Sequence, residues 1–135
     1  HMTDDQAIVL EELIALVKDS NVDAVLIAGD IYDRAVPPTQ AVTLLDEVLR
    51  RLVQEAGKNV IMIAGNHDNA DRLGFGQSLL SQNKLYITGP VSPSTQPVVL
   101  YDTYGPVYFA PLTYGEPLAA SELLRQPLKY PERNR

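Results

Sequence analysis

The sequence contains no cysteine, only two histidines and no long apolar run. Without cysteine there is no disulfide framework, no thiolate zinc site and no thiol nucleophile. His1 and Met2 are interpreted as a cloning remnant, which leaves His67 for all imidazole chemistry. No apolar stretch approaches the ~20 residues that a membrane helix needs, and no signal peptide opens the chain. These absences favour a cytoplasmic location.

Basic residues are also scarce, because 11 lysines and arginines are set against 17 aspartates and glutamates, for a net charge of −6. This balance argues against a protein that binds nucleic acid through a basic patch alone. It does not argue against a nucleic-acid enzyme whose positive charge is supplied by metal ions. With 135 residues, 45% of them hydrophobic, the chain has the size and composition of one globular domain.

Hydrophobic spacing predicts alternating helices and strands over the first two-thirds of the chain. Amphipathic helices are expected at about 4–19 and 39–55, with Thr39 as the N-cap of the second. Nearly continuous apolar runs at 22–28 and 59–64 predict strands that are covered on both faces, as in a parallel sheet. The order strand, helix, strand predicts a βαβ unit.

The composition changes near residue 90, and eight of the ten prolines lie from Pro90 onward. A weaker helix is expected over 71–82 and a short strand over 85–87. Beyond them, apolar segments at 98–101 and 107–110 predict a β-hairpin. Together these elements predict an α/β fold with a mainly parallel sheet and a hairpin near the C-terminus.

Two short polar segments, 29–33 and 65–68, come directly after the two predicted buried strands. Ligands of parallel α/β sheets bind beyond the carboxyl ends of the strands. We therefore expect Asp30 and Asn66 to lie at the same end of the sheet. A glycine precedes each of them and allows the chain to turn sharply into the crevice.

The residue types in these segments suit metal-assisted chemistry on a phosphate. Asp30 and Asn66 offer hard oxygen ligands for Mn²⁺, Mg²⁺ or iron. His67 can donate a proton or stabilise negative charge on a leaving oxygen. Asp33 and Asp68 can orient the ligands, as outer carboxylates do around metals. Taken singly, each segment is equally typical of a turn, a helix cap or an Asx-turn, so the prediction depends on both occurring in one βαβ unit.

The sequences at 28–33 and 64–68, Ala-Gly-Asp-Ile-Tyr-Asp and Ala-Gly-Asn-His-Asp, resemble the second and third signature motifs of the calcineurin-like metallophosphoesterases. The longer segment at 22–33 and the two prolines at 37–38 resemble the nuclease branch of that family, the bacterial SbcD-type exonuclease subunits. The resemblance extends over about residues 6–125 and implies a metallophosphoesterase-like α/β sandwich.

The resemblance also implies a function and roles for individual residues. It implies part of a Mn²⁺-dependent DNA exonuclease of DNA repair and recombination, with Mg²⁺ or iron as alternative metals. Asp30 matches the carboxylate that bridges two metal ions, and Asn66 matches a ligand of the second ion. His67 matches the histidine that stabilises the transition state or protonates the leaving oxygen. The implied partners are DNA and an SbcC-like coiled-coil ATPase subunit.

Parts of the family's pattern are missing from this chain. The family's first motif, Asp-x-His, should precede the first helix, and no histidine follows His67 to match the later motifs. We therefore expect residues 3–135 to form a partial catalytic domain that binds Mn²⁺ weakly and has negligible nuclease activity alone. An incomplete sheet leaves an unpaired edge, which is expected to favour self-association as a homodimer.

Two other functions stay open from the sequence. One is a phosphoesterase that acts on a small phosphomonoester or a cyclic nucleotide. The other is a non-catalytic module that uses the same fold for binding or assembly. The sequence Ile-Tyr-Asp at 31–33 favours the nuclease, whereas the single usable histidine favours the non-catalytic module for the isolated chain.

Overall fold

The computed structural model describes residues 2–124. Its regular elements, in chain order, are α1 (Met2–Asp19), β1 (Ala24–Ala28), α2 (Thr39–Arg50), a π-helical segment (Arg51–Glu55), β2 (Asn59–Ile63), α3 (Ala70–Leu73), α4 (Gln77–Leu80), a 3-10 turn (Ser81–Asn83), β3 (Leu85–Thr88), β4 (Val98–Asp102), β5 (Gly105–Phe109) and α5 (Pro117–Leu124). Across residues 2–124, none of the helices is both long and apolar enough to cross a membrane.

Strands β1, β2 and β3 form a parallel sheet in that order. Ala28 of β1 lies opposite Ile63 of β2, so the two strands end side by side. Strands β4 and β5 form a separate antiparallel hairpin. The predicted α/β fold, with a parallel sheet and a hairpin, is therefore confirmed. The hairpin turn is tighter than predicted, because the Asp102 carboxylate accepts hydrogen bonds from the backbone N–H groups of Tyr104 and Gly105.

The hydrophobic core lies between one face of the parallel sheet and helices α1 and α2. Ile14 and Val17 of α1 are buried and lie one turn apart, which confirms the amphipathic helix predicted at about 4–19. Val60 and Met62 of β2 face them, since alternate residues of a strand point to the same side. The buried core residues are Ile14, Val17, Val48, Leu49, Leu52, Val60 and Met62.

The prediction that both strands are covered on both faces is wrong for β1 within the described residues. Val25 and Ile27 pack against the helical core, whereas Leu26 points the other way and is 59% exposed. The central strand β2 fits the prediction better, because Val60, Ile61 and Met62 are all buried. The apolar sequence of β1 alone could not reveal that one of its faces stays uncovered in this part of the chain.

Both middle helices differ in detail from the sequence prediction. Pro38, not Thr39, is the N-cap of α2, and no side chain caps the helix. The helix continues to Glu55 as predicted but takes π-helical geometry from Arg51 onward. The helix expected over 71–82 is divided, because Gly76 has a left-handed backbone (φ 73°) between α3 and α4.

Salt bridges join α1 to the π-helical segment. The Lys18 Nζ atom lies 2.8 Å from Glu55 Oε2, and Arg51 pairs with both Glu11 and Glu55. Arg50 also contacts Glu55, at 3.1 Å. The hydrogen bond from Lys18, assisted by the charges of Lys18 and the two arginines, holds the pKa of Glu55 below its usual value. Ionised Glu55 is therefore favoured by the folded state.

Glu55→Gln should lower the melting temperature in a pH-dependent way. The folded-state pKa of Glu55 is lowered from 4.5, so its stabilising effect is complete above that value and is lost as the pH falls through the folded pKa. The pairs are exposed, so the difference from the unchanged chain should be small at neutral pH. It should shrink further as the pH falls below 4.5 and through the folded-state pKa. Melting curves followed by circular dichroism measure it, and a difference that stays constant on acidification would contradict the assignment.

Candidate active site

The first polar loop leaves β1 through an unusual backbone conformation. Gly29 and Asp30 both have positive φ angles, 81° and 46°. Glycine adopts this left-handed conformation freely, and aspartate tolerates it better than most residues. The turn directs the Asp30 carboxylate toward the second polar loop, where its Oδ1 atom accepts a hydrogen bond from the His67 backbone N–H at 3.3 Å. Asp30 is thereby placed beside His67.

The two loops approach each other at the backbone level. A Cβ atom on Gly65 would collide with the backbone nitrogen and Oδ1 of Asp30, and one on Gly29 would lie 3.0 Å from the Gly65 Cα. Only glycine permits this approach at position 65. Because β1 and β2 are neighbours that end in register, the loops leave the sheet side by side. The predicted adjacency of the two strand ends is confirmed.

Asp68 connects the two loops through its carboxylate. Its Oδ2 atom accepts hydrogen bonds from the backbone N–H groups of Ile31 at 3.0 Å and Gly65 at 2.8 Å. Its Oδ1 atom accepts a third from the backbone N–H of Tyr32 at 2.9 Å. Burial and the nearby Asp68 charge raise the pKa of the Tyr32 hydroxyl above its usual value, so this group stays neutral at physiological pH.

His67 is exposed, and its ring is oriented by a backbone group. Its Nδ1 atom lies 3.2 Å from the carbonyl oxygen of Asp33. A carbonyl can only accept, so Nδ1 carries the proton in this contact and Nε2 is the nitrogen free for chemistry. The Asp33 carboxylate is 80% exposed and lies 3.5 Å from Arg34. Asp33 therefore touches His67 through its backbone, whereas the sequence pointed to its side chain.

The donor set can be compared with the needs of a metal ion. Asp30 and Asn66 supply a carboxylate and an amide oxygen, which suit hard divalent ions. Both residues are exposed at the loop junction. Within residues 2–124, however, no three His, Cys, Asp or Glu side chains are grouped closely enough to hold a metal. The described residues thus fit part of a metal site and not the full ligand set of a metal pair.

A contact that the sequence did not predict secures the second polar loop, residues 65–68. The Thr113 hydroxyl donates a hydrogen bond to the Ala64 carbonyl at 3.0 Å, and the Tyr114 backbone N–H donates to the same oxygen at 3.0 Å. These bonds attach the segment after the hairpin to the residue just before Gly65. A single threonine in a proline-rich segment carries no pattern that could have revealed this role.

Comparison with known proteins supports the resemblance. Residues 1–126 match the family model described as calcineurin-like phosphoesterase. The chain is also similar to a protein of Bacillus subtilis (strain 168) that is named as a subunit of the nuclease SbcCD, with 40% identity over 94 residues. The match includes 70% of this chain and 24% of the relative. The matching stretch therefore spans about a quarter of the length of that curated relative.

Proposed function

This chain belongs to the calcineurin-like phosphoesterase family, and we propose that it forms part of the catalytic site of a metal-dependent DNA exonuclease. The family is one of metal-dependent hydrolases. The narrower proposal is supported by the similarity to an SbcCD nuclease subunit. The observation that carries it is the hydrogen bond from the His67 backbone N–H to the Asp30 carboxylate. This bond holds a carboxylate that could bind a metal ion beside an exposed imidazole ring.

In this proposal, Asp30 and Asn66 contribute ligands for divalent metal, with Mn²⁺ as the proposed ion and Mg²⁺ or iron as alternatives. A bound metal supplies Lewis-acid stabilisation of a phosphate and a nucleophilic water. The part played by the chain is to present these ligands on loops that meet at Gly65 and Asp30. The bond from His67 leaves the Oδ2 atom of Asp30 available to a cation.

His67 is proposed as the group that acts on the leaving oxygen of a phosphodiester. The Asp33 carbonyl holds the proton-bearing Nδ1, so the ring keeps its orientation whether or not Nε2 is protonated. A protonated Nε2 donates to the leaving oxygen, and its positive charge stabilises the phosphate in the transition state. The exposure of the ring gives a substrate direct access to it.

DNA and an SbcC-like ATPase subunit are the proposed partners, because the relative is named as one subunit of an SbcCD nuclease. With a net charge of −6, this chain offers DNA no general electrostatic attraction. Metal ions and partner surfaces are therefore proposed to provide it. Two observations support homodimer formation. The side chain of Leu26 is exposed on one face of β1, and among the described residues strand β1 pairs only with β2, so its other edge is unpaired there.

Calorimetric titration with Mn²⁺ tests the proposed metal ligands. We expect the chain to bind Mn²⁺ weakly, with a dissociation constant above about 1 μM. DNA cleavage should be negligible, because residues 2–124 do not bring together most of the ligands that a metal pair needs. Asp30→Asn should weaken Mn²⁺ binding by at least about tenfold, because even the loss of a residue that only hydrogen-bonds to a metal ligand lowers metal affinity by about that factor. Asp71→Asn, which removes an exposed charge from the first turn of α3, is the matched control.

Four other outcomes separate the alternatives. Equal Mn²⁺ binding by the unchanged chain and Asp30→Asn would contradict the assigned ligand. Submicromolar binding, together with DNA cleavage that Asp30→Ala abolishes, would show that the chain is an active nuclease by itself. Hydrolysis of a phosphomonoester or cyclic nucleotide without DNA cleavage would favour the small-substrate phosphoesterase. A folded chain with no Mn²⁺ binding would favour the non-catalytic module.

A further inference from the structure

The conformation of Asp30 needs support from outside its own loop. Its φ of 46° lies in the left-handed region, which costs energy for any residue with a side chain. Residues 29–38 after β1 form neither helix nor strand, so no regular backbone hydrogen bonds hold this stretch. Unless its backbone is held elsewhere, Asp30 would relax to a common conformation and its carboxylate would leave the His67 N–H.

The required support comes from Asp68. The two N–H groups that directly follow Asp30, those of Ile31 and Tyr32, both donate to the Asp68 carboxylate. The same carboxylate accepts from Gly65, at the start of its own loop. The Asp68 side chain therefore holds the backbone of both polar loops where they meet, residues 29–33 and 65–68, and Ile31 is 37 residues away from it in the chain.

We propose that Asp68 is a positioning residue that maintains the left-handed Asp30 and so sets the spacing between the Asp30 and Asn66 ligands. This inference rests on the proposed function, because the spacing of Asp30 and Asn66 matters only if both residues bind metal. Asp68 acts through backbone groups and is not itself placed against a metal or a phosphate. Asp33, which the sequence grouped with Asp68, has no such contacts, since its carboxylate lies against Arg34.

A carboxylate is the side chain that this arrangement demands. It presents two acceptor oxygens and no donor, and bonds to a charged acceptor are the stronger ones. Both oxygens are occupied, one by two N–H groups and the other by one. Asparagine has the same shape but replaces one oxygen with NH₂, which would face an N–H donor. Asp68→Asn therefore breaks at least one of the three hydrogen bonds and removes the negative charge from the others, without leaving a cavity.

Amide hydrogen exchange, followed by NMR on the full chain without metal, tests the connection directly. In Asp68→Asn, the amides of Ile31, Tyr32 and Gly65 should exchange at least about tenfold faster, as expected for the loss of charge-assisted hydrogen bonds. Amides of β2 should change far less, because the core is untouched. Asp71→Asn, an equal charge change three residues away, should leave all of these rates unaltered.

Two results would overturn the proposal. In one, Ile31 and Tyr32 exchange in Asp68→Asn at the rate of the unchanged chain. In the other, their acceleration is matched by the amides of β2, which would show that Asp68 supports global stability and not the loop junction.

Paramagnetic Mn²⁺ then tests the link to the metal ligands. In the unchanged chain, the NMR signals of Asp30 and His67 should broaden at the same Mn²⁺ concentration. Asp68→Asn should need about tenfold more Mn²⁺ for the same broadening. Equal broadening in the two chains would overturn the positioning role. If the unchanged chain shows no broadening at these residues, the proposed function fails, while the metal-free exchange rates still decide whether Asp68 holds the Asp30 backbone.

Discussion

Gly65→Ala should destabilise the chain by about 3 kcal/mol, which places it among the severe effects of adding a single methyl group. The new Cβ atom would occupy space already taken by the backbone nitrogen and carboxylate oxygen of Asp30. Neither loop can withdraw easily, because each continues a strand and these strands pair up to Ala28 and Ile63. Accommodation therefore requires separation of the loops or distortion of the sheet end.

Urea denaturation of the two chains measures this effect. Gly115→Ala is the matched control, since a Cβ there would have no neighbour closer than 3.7 Å, an ordinary contact with Val91. We expect that variant to change stability by less than about 1 kcal/mol. A Gly65→Ala chain as stable as Gly115→Ala would show that the loops do not meet as described. If Gly65→Ala still folds, the His67 amide signal should shift, because its bond to Asp30 is lost.

Leu52→Ala should cost about 2–5 kcal/mol, a large part of the total stability of a typical domain. Leu52 has 0% of its surface exposed and lies in the π-helical segment. It belongs to the same buried cluster as Ile14 of α1 and Val60 of β2. Its truncation would leave a cavity where both helices meet the sheet, and close-packed neighbours fill such a space only in part.

Thermal and urea denaturation should show a large decrease for Leu52→Ala. The control is Leu79→Ala, because Leu79 is 70% exposed on α4 and its truncation should change stability by less than about 0.5 kcal/mol. Similar losses in the two variants would contradict the assignment of Leu52 to the core. The pair also tests whether the π-helical segment is a packed part of the domain, as its buried leucine indicates.

Hydrophobic periodicity was sufficient to predict α1, β2, β3 and the hairpin, because the apolar pattern of a segment records which of its faces is buried. The same pattern did not predict the division of the helix at Gly76, which has a left-handed φ of 73° between α3 and α4, two helices that each contact β3. It also assigned the N-cap to Thr39, where the extended Pro38 already ends the loop. Sequence patterns over a few residues do not predict helix boundaries where one residue can adopt several backbone conformations.

For the candidate site, the sequence by itself determined the two strand–loop motifs and the residues Asp30, Asn66 and His67, since side-chain types and their spacing are written in it. Only the tertiary structure decided which groups hold them. His67 is oriented by the carbonyl of Asp33, and Asp68 accepts hydrogen bonds from the backbone of Ile31 and Tyr32. Nearly every residue has the same N–H and C=O groups, so no sequence pattern identifies the ones that a distant carboxylate or imidazole will meet. Their partners follow from the register of β1 and β2, which exists only in the folded chain.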